Sequence, residues 1–296
     1  MRATTEGTGI ARALFLSSRP LSWVNTAYPF AAAYLLSTGR IDAVFVIGTL
    51  FFLVPYNLLM YGVNDVFDYA SDLRNPRKGG AEGALLSPRL HRPIMLAASI
   101  SSGVFVVALL IAAGTAQPLS WIVLAVSIFA VLAYSVPGLR FKERPLLDSA
   151  TSATHFVSPA VYGLAVAGAV LTPPLLALLV AFFLWGMASH AFGAVQDVEP
   201  DRAGGIASIA TWLGAARTVR LAIVLWAAAG CLMLLTEWPG PLAALLVLPY
   251  IVAAAPFWSV SDAGSGAANR GWRAFLGINY VVGFLVTLLL IWWQLV

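Results

Sequence analysis

The sequence predicts an all-α, polytopic membrane protein with nine transmembrane helices, and three observations support this. Hydrophobic residues make up 60% of the 296 positions and charged residues 10%, whereas a soluble domain has about 25% charged residues. The mean hydropathy is +0.86. The apolar residues also fall in long runs, close to the roughly 20 residues that a helix needs to cross a bilayer. Such uninterrupted runs favour helices over a closed β-barrel.

The nine predicted spans are apolar runs, and the loops between them hold most of the charged residues. They lie at about residues 21–38, 41–63, 93–114, 118–136, 149–170, 173–196, 218–236, 241–260 and 273–295. Because few residues remain for a soluble domain, we expect residues 1–296 to form a single domain, one helical bundle. No cleavable signal peptide is evident, because no apolar core precedes Leu21.

The basic residues predict the orientation of the chain in the membrane. Of the 17 Lys and Arg residues, all except Arg40 fall on the side of the N-terminus. By the positive-inside rule, the N-terminus and the basic loops are cytoplasmic and the C-terminus is outside. We therefore expect a protein integral to the plasma membrane. Because this topology explains most of the positive charge, the basic pI of about 9.4 does not indicate a nucleic-acid partner.

The most informative motif lies at the cytoplasmic end of the second span and consists of Asn64, Asp65, Asp68 and Asp72. On a helix, the three carboxylates fall within a sector of about 60°. Carboxylates crowded on one face at a membrane boundary repel each other unless a positive charge lies among them. Mg²⁺ is usually held by one or two carboxylates, waters and the phosphates of a ligand. The motif therefore predicts a magnesium site at the membrane boundary.

Two cations, Arg77 and Lys78, follow this motif after Pro76, where the helix is expected to stop. A solvated positive-inside loop explains these cations well. It does not explain why the acidic residues keep a helical spacing, so we interpret the cations as neighbours of a carboxylate site.

A second acidic motif, Asp197 and Asp201, follows the span 173–196 on the same side of the membrane. Pro200 disfavours helix at Glu199 and removes a backbone donor, so we expect the helix to end or bend there. On its own, the pair is equally consistent with an ordinary acidic loop. Together with the first motif, it is interpreted as the other half of one site.

A third cytoplasmic loop carries the aromatic hydroxyl of Tyr134 and three cations, which are Arg140, Lys142 and Arg144. An ordinary positive-inside loop is one explanation. The functional alternative is a diphosphate clamp, because Lys and Arg stabilise a departing phosphate group.

The acidic motifs and the nearby cations together predict a diphosphate substrate bound through two or more Mg²⁺ ions, which act as Lewis acids on the leaving group. The chain contains no Gly-x-x-x-x-Gly-Lys-Ser/Thr motif, which argues against nucleotide hydrolysis. A diphosphate whose organic tail lies in the bilayer fits better, namely an allylic isoprenyl diphosphate. An aromatic-lined cavity stabilises the resulting carbocation, and Tyr61 and Trp185 lie near a suitable depth.

The two acidic motifs and the loop from Tyr134 to Lys142 resemble those of the UbiA-type intramembrane prenyltransferases, over essentially the whole chain. The resemblance implies magnesium, an isoprenyl diphosphate donor and a bundle around a central cavity that opens laterally to lipid. We assign catalytic roles to Asp68, Asp72, Asp197, Asp201 and Lys142. The expected magnesium ligands are Asn64, Asp65, Asp68, Asp72, Asp197 and Asp201. The expected diphosphate contacts are Asn64, Arg77, Lys78, Tyr134, Arg140 and Lys142.

Within that family, residues 19–30, residues 140–148 and His155 resemble the lycopene elongases of C50 carotenoid synthesis. The resemblance implies dimethylallyl diphosphate as the donor and lycopene, or another lipophilic acceptor, as the acceptor. A terminal double bond of lycopene would attack the allyl cation, and the resulting tertiary cation would lose a proton or capture water. Many quinone-type relatives carry Arg-Pro shortly after the first motif. This chain has Lys78, Gly79 and Gly80 there, so Arg77 and Lys78 are the nearest substitutes.

His155 and His190 are the histidines that lie inside predicted spans, and either is a candidate for the region of the acceptor cation, with Tyr61 and Trp185. A histidine can take a proton at neutral pH. A hydrogen-bonded structural histidine is the alternative at each position.

Other functions use parts of the same pattern. A UbiA-type enzyme acting on an aromatic or quinone precursor, or on a tetrapyrrole, would share the donor site. A divalent-cation transporter would carry its acidic residues at mid-membrane depth, and a structural subunit would not need two matched acidic motifs. No motif identifies an associating carotenoid-pathway enzyme.

Overall fold

The computed structural model describes residues 9–73, 85–114 and 116–295, apart from the side chain of Ser71. Within these ranges the chain is helical and contains no β-strand, which confirms the all-α prediction. Arg77 and Lys78 lie outside the described residues, so the roles predicted for them stay predictions.

The described part of the chain forms helices that we number α1 to α13 in chain order. They are α1 Ile10–Ser17, α2 Trp23–Thr38, α3 Ala43–Phe67, α4 Tyr69–Asp72, α5 Pro88–Ala113, α6 Pro118–Ser135, α7 Leu147–Ala167, α8 Pro173–Val195, α9 Val198–Ala203, α10 Ile209–Leu213, α11 Ala215–Met233, α12 Gly240–Phe257 and α13 Ser265–Leu295.

Seven of these helices are long and apolar enough to cross a membrane: α3, α5, α6, α8, α11, α12 and α13. They correspond to seven of the nine predicted spans. The other two predicted spans are also helical, as α2 and α7. However, α2 has 16 residues, and the first half of α7 carries several hydroxyl side chains, such as Thr151 and Thr154. The protein is thus a polytopic membrane protein, and the count of nine crossings stays a prediction.

The helix ends have local causes in the sequence. The helices α5, α6 and α8 begin with proline, whose missing N–H is not needed in the first turn. The carboxylate of Asp42 accepts a hydrogen bond of 3.0 Å from the Phe45 N–H and so caps α3. Gly39 ends α2 with φ of 64°, in the left-handed region that glycine adopts without strain.

The chain divides into two compact units. The first unit comprises Met1–Phe141 and His155–Ala169, and the second comprises Lys142–Thr154 and Val170–Val296. The core of the first unit is an aromatic cluster with ring centroids 4.9 to 5.9 Å apart. It contains Phe30, Phe51, Phe52, Tyr56 and Tyr162.

Helices α2 and α7 approach closely in the first unit because Gly163 has no side chain. A Cβ at Gly163 would lie 2.8 Å from the Phe30 carbonyl oxygen and 3.2 Å from the Cβ of Ala33. Small residues at helix contacts in membranes allow this kind of backbone approach.

The core of the second unit is also aromatic. The Trp226 ring stacks on Tyr250 with centroids 5.6 Å apart, and Phe275 stacks on Trp272 at 4.8 Å. The Tyr250 hydroxyl donates a hydrogen bond of 2.9 Å to Asn279 Oδ1, which satisfies a buried polar group.

The close approach at Gly163 yields a stability prediction. We expect Gly163→Ala to lower the free energy of unfolding by about 1 to 3 kcal/mol, because the added methyl group would overpack α2 against α7. Gly103→Ala on α5 is the matched control, since no atom lies within 4 Å of a Cβ there. The control should stay within about 1 kcal/mol of the native protein, on the stabilising side. Unfolding in detergent micelles measures both, and equal stability of the two variants would contradict the packing described here.

Candidate functional site

The first acidic motif follows an irregular stretch of α3. Residues Leu58–Gly62 form a π-helical turn that ends two positions before Asn64. Such turns are rare and are found frequently at functional sites. No hydrophobic periodicity marks this turn, so the sequence does not predict it.

The helical spacing of the motif persists across the break between α3 and α4. The Asp68 N–H donates to the Asn64 carbonyl at 2.9 Å, and the Asp72 N–H donates to the Asp68 carbonyl at 2.8 Å. Asp65, Asp68 and Asp72 are all buried, with 1%, 6% and 7% of their surface exposed. Buried carboxylates are costly unless they are paired, so this cluster requires nearby positive charge.

Arg19 supplies part of that charge, from the segment between α1 and α2. Its Nη2 donates to Asp65 Oδ1 at 2.8 Å, and its guanidinium lies 4.5 Å from the centre of the Tyr61 ring. Burial alone would lower the pKa of Arg19, but the charge and hydrogen bond of Asp65 and the charge of Asp72 raise it above its usual value. Arg19 therefore stays charged, as a partner of a buried acid must.

Sequence reasoning missed Arg19 as a site residue. The signal was a single arginine at the edge of the first predicted span, but it lies 46 positions from its partner Asp65. The guanidinium also covers one face of Tyr61, the ring that was predicted to face a substrate cation.

Arg140 pairs with Asp68 in the same way, and its Nη2 lies 3.5 Å from Asp68 Oδ1. The described residues include three non-glycine residues with positive φ, and both of these arginines are among them, with Arg19 at 48° and Arg140 at 41°. Left-handed backbone at a bulky residue costs free energy and persists where the surroundings hold it. Arg19 and Arg140 are thus held beside the acidic motif in a sparsely populated backbone conformation.

The end of α6 also meets the first motif. The Ser135 hydroxyl donates to Asn64 Oδ1 at 2.9 Å, a contact that sequence reasoning also missed. The neighbouring Tyr134 packs edge-on against His155 with ring centroids 5.2 Å apart. The backbone of His155 is also contacted by Tyr56, whose hydroxyl donates to the His155 carbonyl oxygen at 3.5 Å.

The second acidic motif lies between α8 and α9 in the second unit. The expectation that the helix ends or bends at Pro200 is wrong in its position. The interruption falls at Gln196 and Asp197, and Pro200 lies in the first turn of α9, where a missing N–H costs little. The Asp201 N–H donates to the Asp197 carbonyl at 2.9 Å, so the two acids are one helical turn apart.

His190 belongs to a hydrogen-bonded chain in the second unit. Its Nδ1 lies 3.1 Å from Ser149 Oγ. The Ser149 N–H donates to Asp148 Oδ1 at 2.7 Å, and the Ile209 N–H donates to Asp148 Oδ2 at 2.6 Å. Sequence reasoning missed Asp148, whose buried carboxylate joins the start of α7 to the first turn of α10.

The two remaining candidates in the second unit differ in their surroundings. Lys142 lies half-buried in the short 3₁₀ turn Phe141–Glu143. Trp185 packs in the aromatic core, stacked on Phe275 at 6.1 Å and edge-on to Tyr250 at 5.9 Å.

The donor set of the first motif suits magnesium. Among the residues that the structure describes, no three His, Cys, Asp or Glu side chains converge closely enough to form a metal site by themselves. Magnesium seldom needs such an all-protein cage, since it keeps waters and binds through one or two carboxylates plus substrate phosphates. Buried hard oxygen ligands beside two arginines fit a magnesium–diphosphate complex rather than a free metal ion.

Comparison with known proteins gives a family. The profile of the UbiA prenyltransferase family matches residues 26–278. A lycopene elongase/hydratase from Corynebacterium glutamicum is 51% identical over 95% of this chain and 96% of the relative. The C(50) beta-cyclic carotenoids biosynthesis protein LbtBC from Dietzia sp. strain CQ4 is 53% identical over 97% of this chain, which spans 66% of that relative's length.

A solved structure shares the fold. It is a UbiA homolog from Archaeoglobus fulgidus bound to DMAPP and Mg²⁺, with a TM-score of 0.67. The match covers 91% of this chain and 98% of the homolog at 19% sequence identity.

The Arg19–Asp65 pair yields a prediction on stability. We expect Arg19→Met to lower the free energy of unfolding by about 3 kcal/mol, because it leaves a buried carboxylate uncompensated. Arg12→Met on the exposed face of α1 is the control and should have little effect. The double variant Arg19→Met/Asp65→Leu should recover most of the lost stability. Unfolding in detergent measures all three, and an Arg19→Met variant as stable as the control would refute the pairing.

Proposed function

This chain belongs to the UbiA prenyltransferase family, and on that premise we propose that it transfers a five-carbon dimethylallyl group from its diphosphate to each end of lycopene. The products are C45 and C50 carotenoids. The observation that carries the proposal is a row of buried carboxylates paired with arginines. This row lies in a chain about half identical to proteins named for lycopene elongation and C50 carotenoid synthesis. The donor assignment is supported by the fold relative that holds DMAPP and Mg²⁺.

In this proposal, the carboxylates bind the donor diphosphate through two or more magnesium ions. The ligands would come from Asn64, Asp65, Asp68 and Asp72 of the first motif and from Asp197 and Asp201 of the second. When bound, magnesium neutralises the diphosphate and makes it a better leaving group.

The cations of the chain bind the remaining negative charge of the diphosphate. Arg140 is already beside Asp68, and Lys142 and Tyr134 add a flexible ammonium and a hydroxyl donor. Arg77 and Lys78 are assigned to the same role. Arg19, with Asp65 on one side and Tyr61 on the other, orients the Asp65 carboxylate before the donor arrives.

The reaction breaks the bond between C1 of the donor and its bridging oxygen, and the electron pair leaves with the diphosphate. The terminal double bond of lycopene then forms the new carbon–carbon bond to the allyl cation, which leaves a tertiary cation on the acceptor. That cation ends by losing a proton or by adding water, which then loses a proton. An apolar site protects both cations from unwanted water.

The proton acceptor is assigned to one of the two intramembrane histidines. His155 lies against Tyr134 near the first motif, and His190 is oriented by Ser149. An imidazole side chain can accept a proton in general acid–base catalysis. Tyr61 is a weaker candidate for stabilising the substrate cation than its sequence position indicated, because Arg19 covers one face of its ring.

We place the N-terminus and both acidic motifs on the cytoplasmic side of the plasma membrane, and the C-terminus outside. The asymmetric distribution of Lys and Arg supports this orientation.

The donor site is tested at Asp68. We expect Asp68→Asn to reduce turnover at least about a hundredfold, because the variant removes a charged ligand from the diphosphate site. Glu237→Gln, which removes an exposed carboxylate distant in sequence from both motifs, is the control and should keep native turnover. The measurement is release of diphosphate from dimethylallyl diphosphate in the presence of lycopene and Mg²⁺. Near-native turnover by a folded Asp68→Asn variant would remove the basis of the site assignment.

The acceptor is tested separately, because a relative acting on an aromatic or quinone precursor, or on a tetrapyrrole, would use the same donor site. Membranes containing the protein, incubated with labelled dimethylallyl diphosphate and lycopene, should yield labelled C45 and then C50 products. Labelled product from an aromatic acid, with none from lycopene, would overturn the acceptor assignment and leave the donor chemistry in place.

A further inference from the structure

The flanks of the second acidic motif are held by side chains from the beginning of α13 and the loop before it. We propose that Asp262 and Asn269 are positioning residues for Asp197 and Asp201. This inference rests on the proposed function, since it assumes that those two carboxylates bind the metal–diphosphate complex.

The first set of contacts is made by Arg202, which directly follows the motif. Its Nη1 donates to Asp262 Oδ2 at 2.5 Å, and its Nη2 donates to the Thr211 carbonyl at 2.9 Å. One guanidinium thus joins α9 both to the loop before α13 and to α10. Arginine suits this task because its rigid, planar fork of donors can meet two acceptors at once.

Asp262 is itself fixed by backbone. Its Oδ1 accepts a hydrogen bond of 2.7 Å from the N–H of Ala215, the first residue of α11. That hydrogen bond, followed by the one from Arg202, holds the pKa of Asp262 below its usual value. The carboxylate is therefore a charged anchor between the N-terminus of α11 and the residue that follows Asp201.

The second set of contacts is made by the buried residue Gln196, which directly precedes the motif. Asn269 Nδ2 donates to Gln196 Oε1 at 2.5 Å, and Gln196 Nε2 donates to the Gly193 carbonyl at 3.0 Å. The amide of Gln196 is thus tied to α13 on one side and to its own helix α8 on the other. Residues 196 and 202 are fixed, and the two acidic residues lie between them.

These contacts are needed because α9 cannot orient Asp197 and Asp201 by itself. It has six residues, and a helix that short is marginal without tertiary support. Mutation of residues that orient metal ligands without touching the metal typically lowers metal affinity by about 10-fold to 100-fold. By contrast, an ion pair as exposed as Arg202–Asp262 contributes little to stability. Loss of the Arg202–Asp262 contact should therefore affect metal use much more than folding. Loss of Asn269 removes a hydrogen bond from the buried amide of Gln196 and so lowers stability as well.

The test compares Asp262→Asn and Asn269→Ala with two matched controls. Glu237→Gln removes an exposed carboxylate from the same unit. Asn279→Ala removes another asparagine of α13, whose hydrogen bond goes to Tyr250 and not to the motif. Two quantities are measured in detergent: the Mg²⁺ concentration that gives half-maximal binding of a non-hydrolysable dimethylallyl diphosphate analogue, and the hydrogen exchange of backbone amides 196–206.

We expect each positioning variant to raise the half-maximal Mg²⁺ concentration about tenfold and to speed exchange across residues 196–206. Thermal stability should stay near native in Asp262→Asn and fall in Asn269→Ala, as in Asn279→Ala, because each asparagine bonds a buried polar group. Both controls should match the native protein in Mg²⁺ dependence, even where Asn279→Ala lowers thermal stability. Native Mg²⁺ dependence and native exchange in both positioning variants would overturn the inference. If the native protein itself binds the analogue without Mg²⁺, the proposed function fails, and the exchange data alone then decide whether the two residues hold the motif.

Discussion

The structure depends on placing fixed arginine charge beside three buried carboxylates. Asp65, Asp68 and Asp72 lie within two helical turns and are almost fully enclosed. Such a row is stable only with fixed positive charge beside it, which Arg19 and Arg140 supply from two distant segments. The left-handed backbone at both arginines shows that the fold tolerates local strain to keep these cations there.

Parts of the protein that depend on the bilayer or on local spacing could be predicted from the sequence. Apolar length identified seven spans that the structure bears out, and helical spacing identified the first acidic motif. Contacts between distant segments could not be predicted, since no local pattern encodes the hydrogen bond from Ser135 to Asn64 across 71 positions. Pro200 marked a real interruption but misplaced it, because a proline in a first helical turn looks the same in sequence as one that ends a helix.

The donor and acceptor sides of the proposed reaction rest on different grounds. On the donor side, the proposal rests on the buried carboxylates of this chain and on the arginines beside them, whatever the acceptor is. The acceptor follows from likeness to relatives named for lycopene elongation and C50 carotenoid synthesis. In the proposed reaction, the fate of the last cation would depend on where its proton goes. The contacts of His190 with Ser149, and of Ser149 with Asp148, make His190 one candidate for the proton acceptor.

In the proposed reaction, the buried carboxylates bind the donor through magnesium. Calorimetric titration of the detergent-solubilised protein with a non-hydrolysable dimethylallyl diphosphate analogue, with Mg²⁺ and with EDTA, tests this most directly. We expect binding in Mg²⁺ and none in EDTA for the native protein, and no binding in either condition for a folded variant that lacks the Asp68 carboxylate. Equal affinity with and without Mg²⁺, or unchanged affinity without that carboxylate, would contradict the claim.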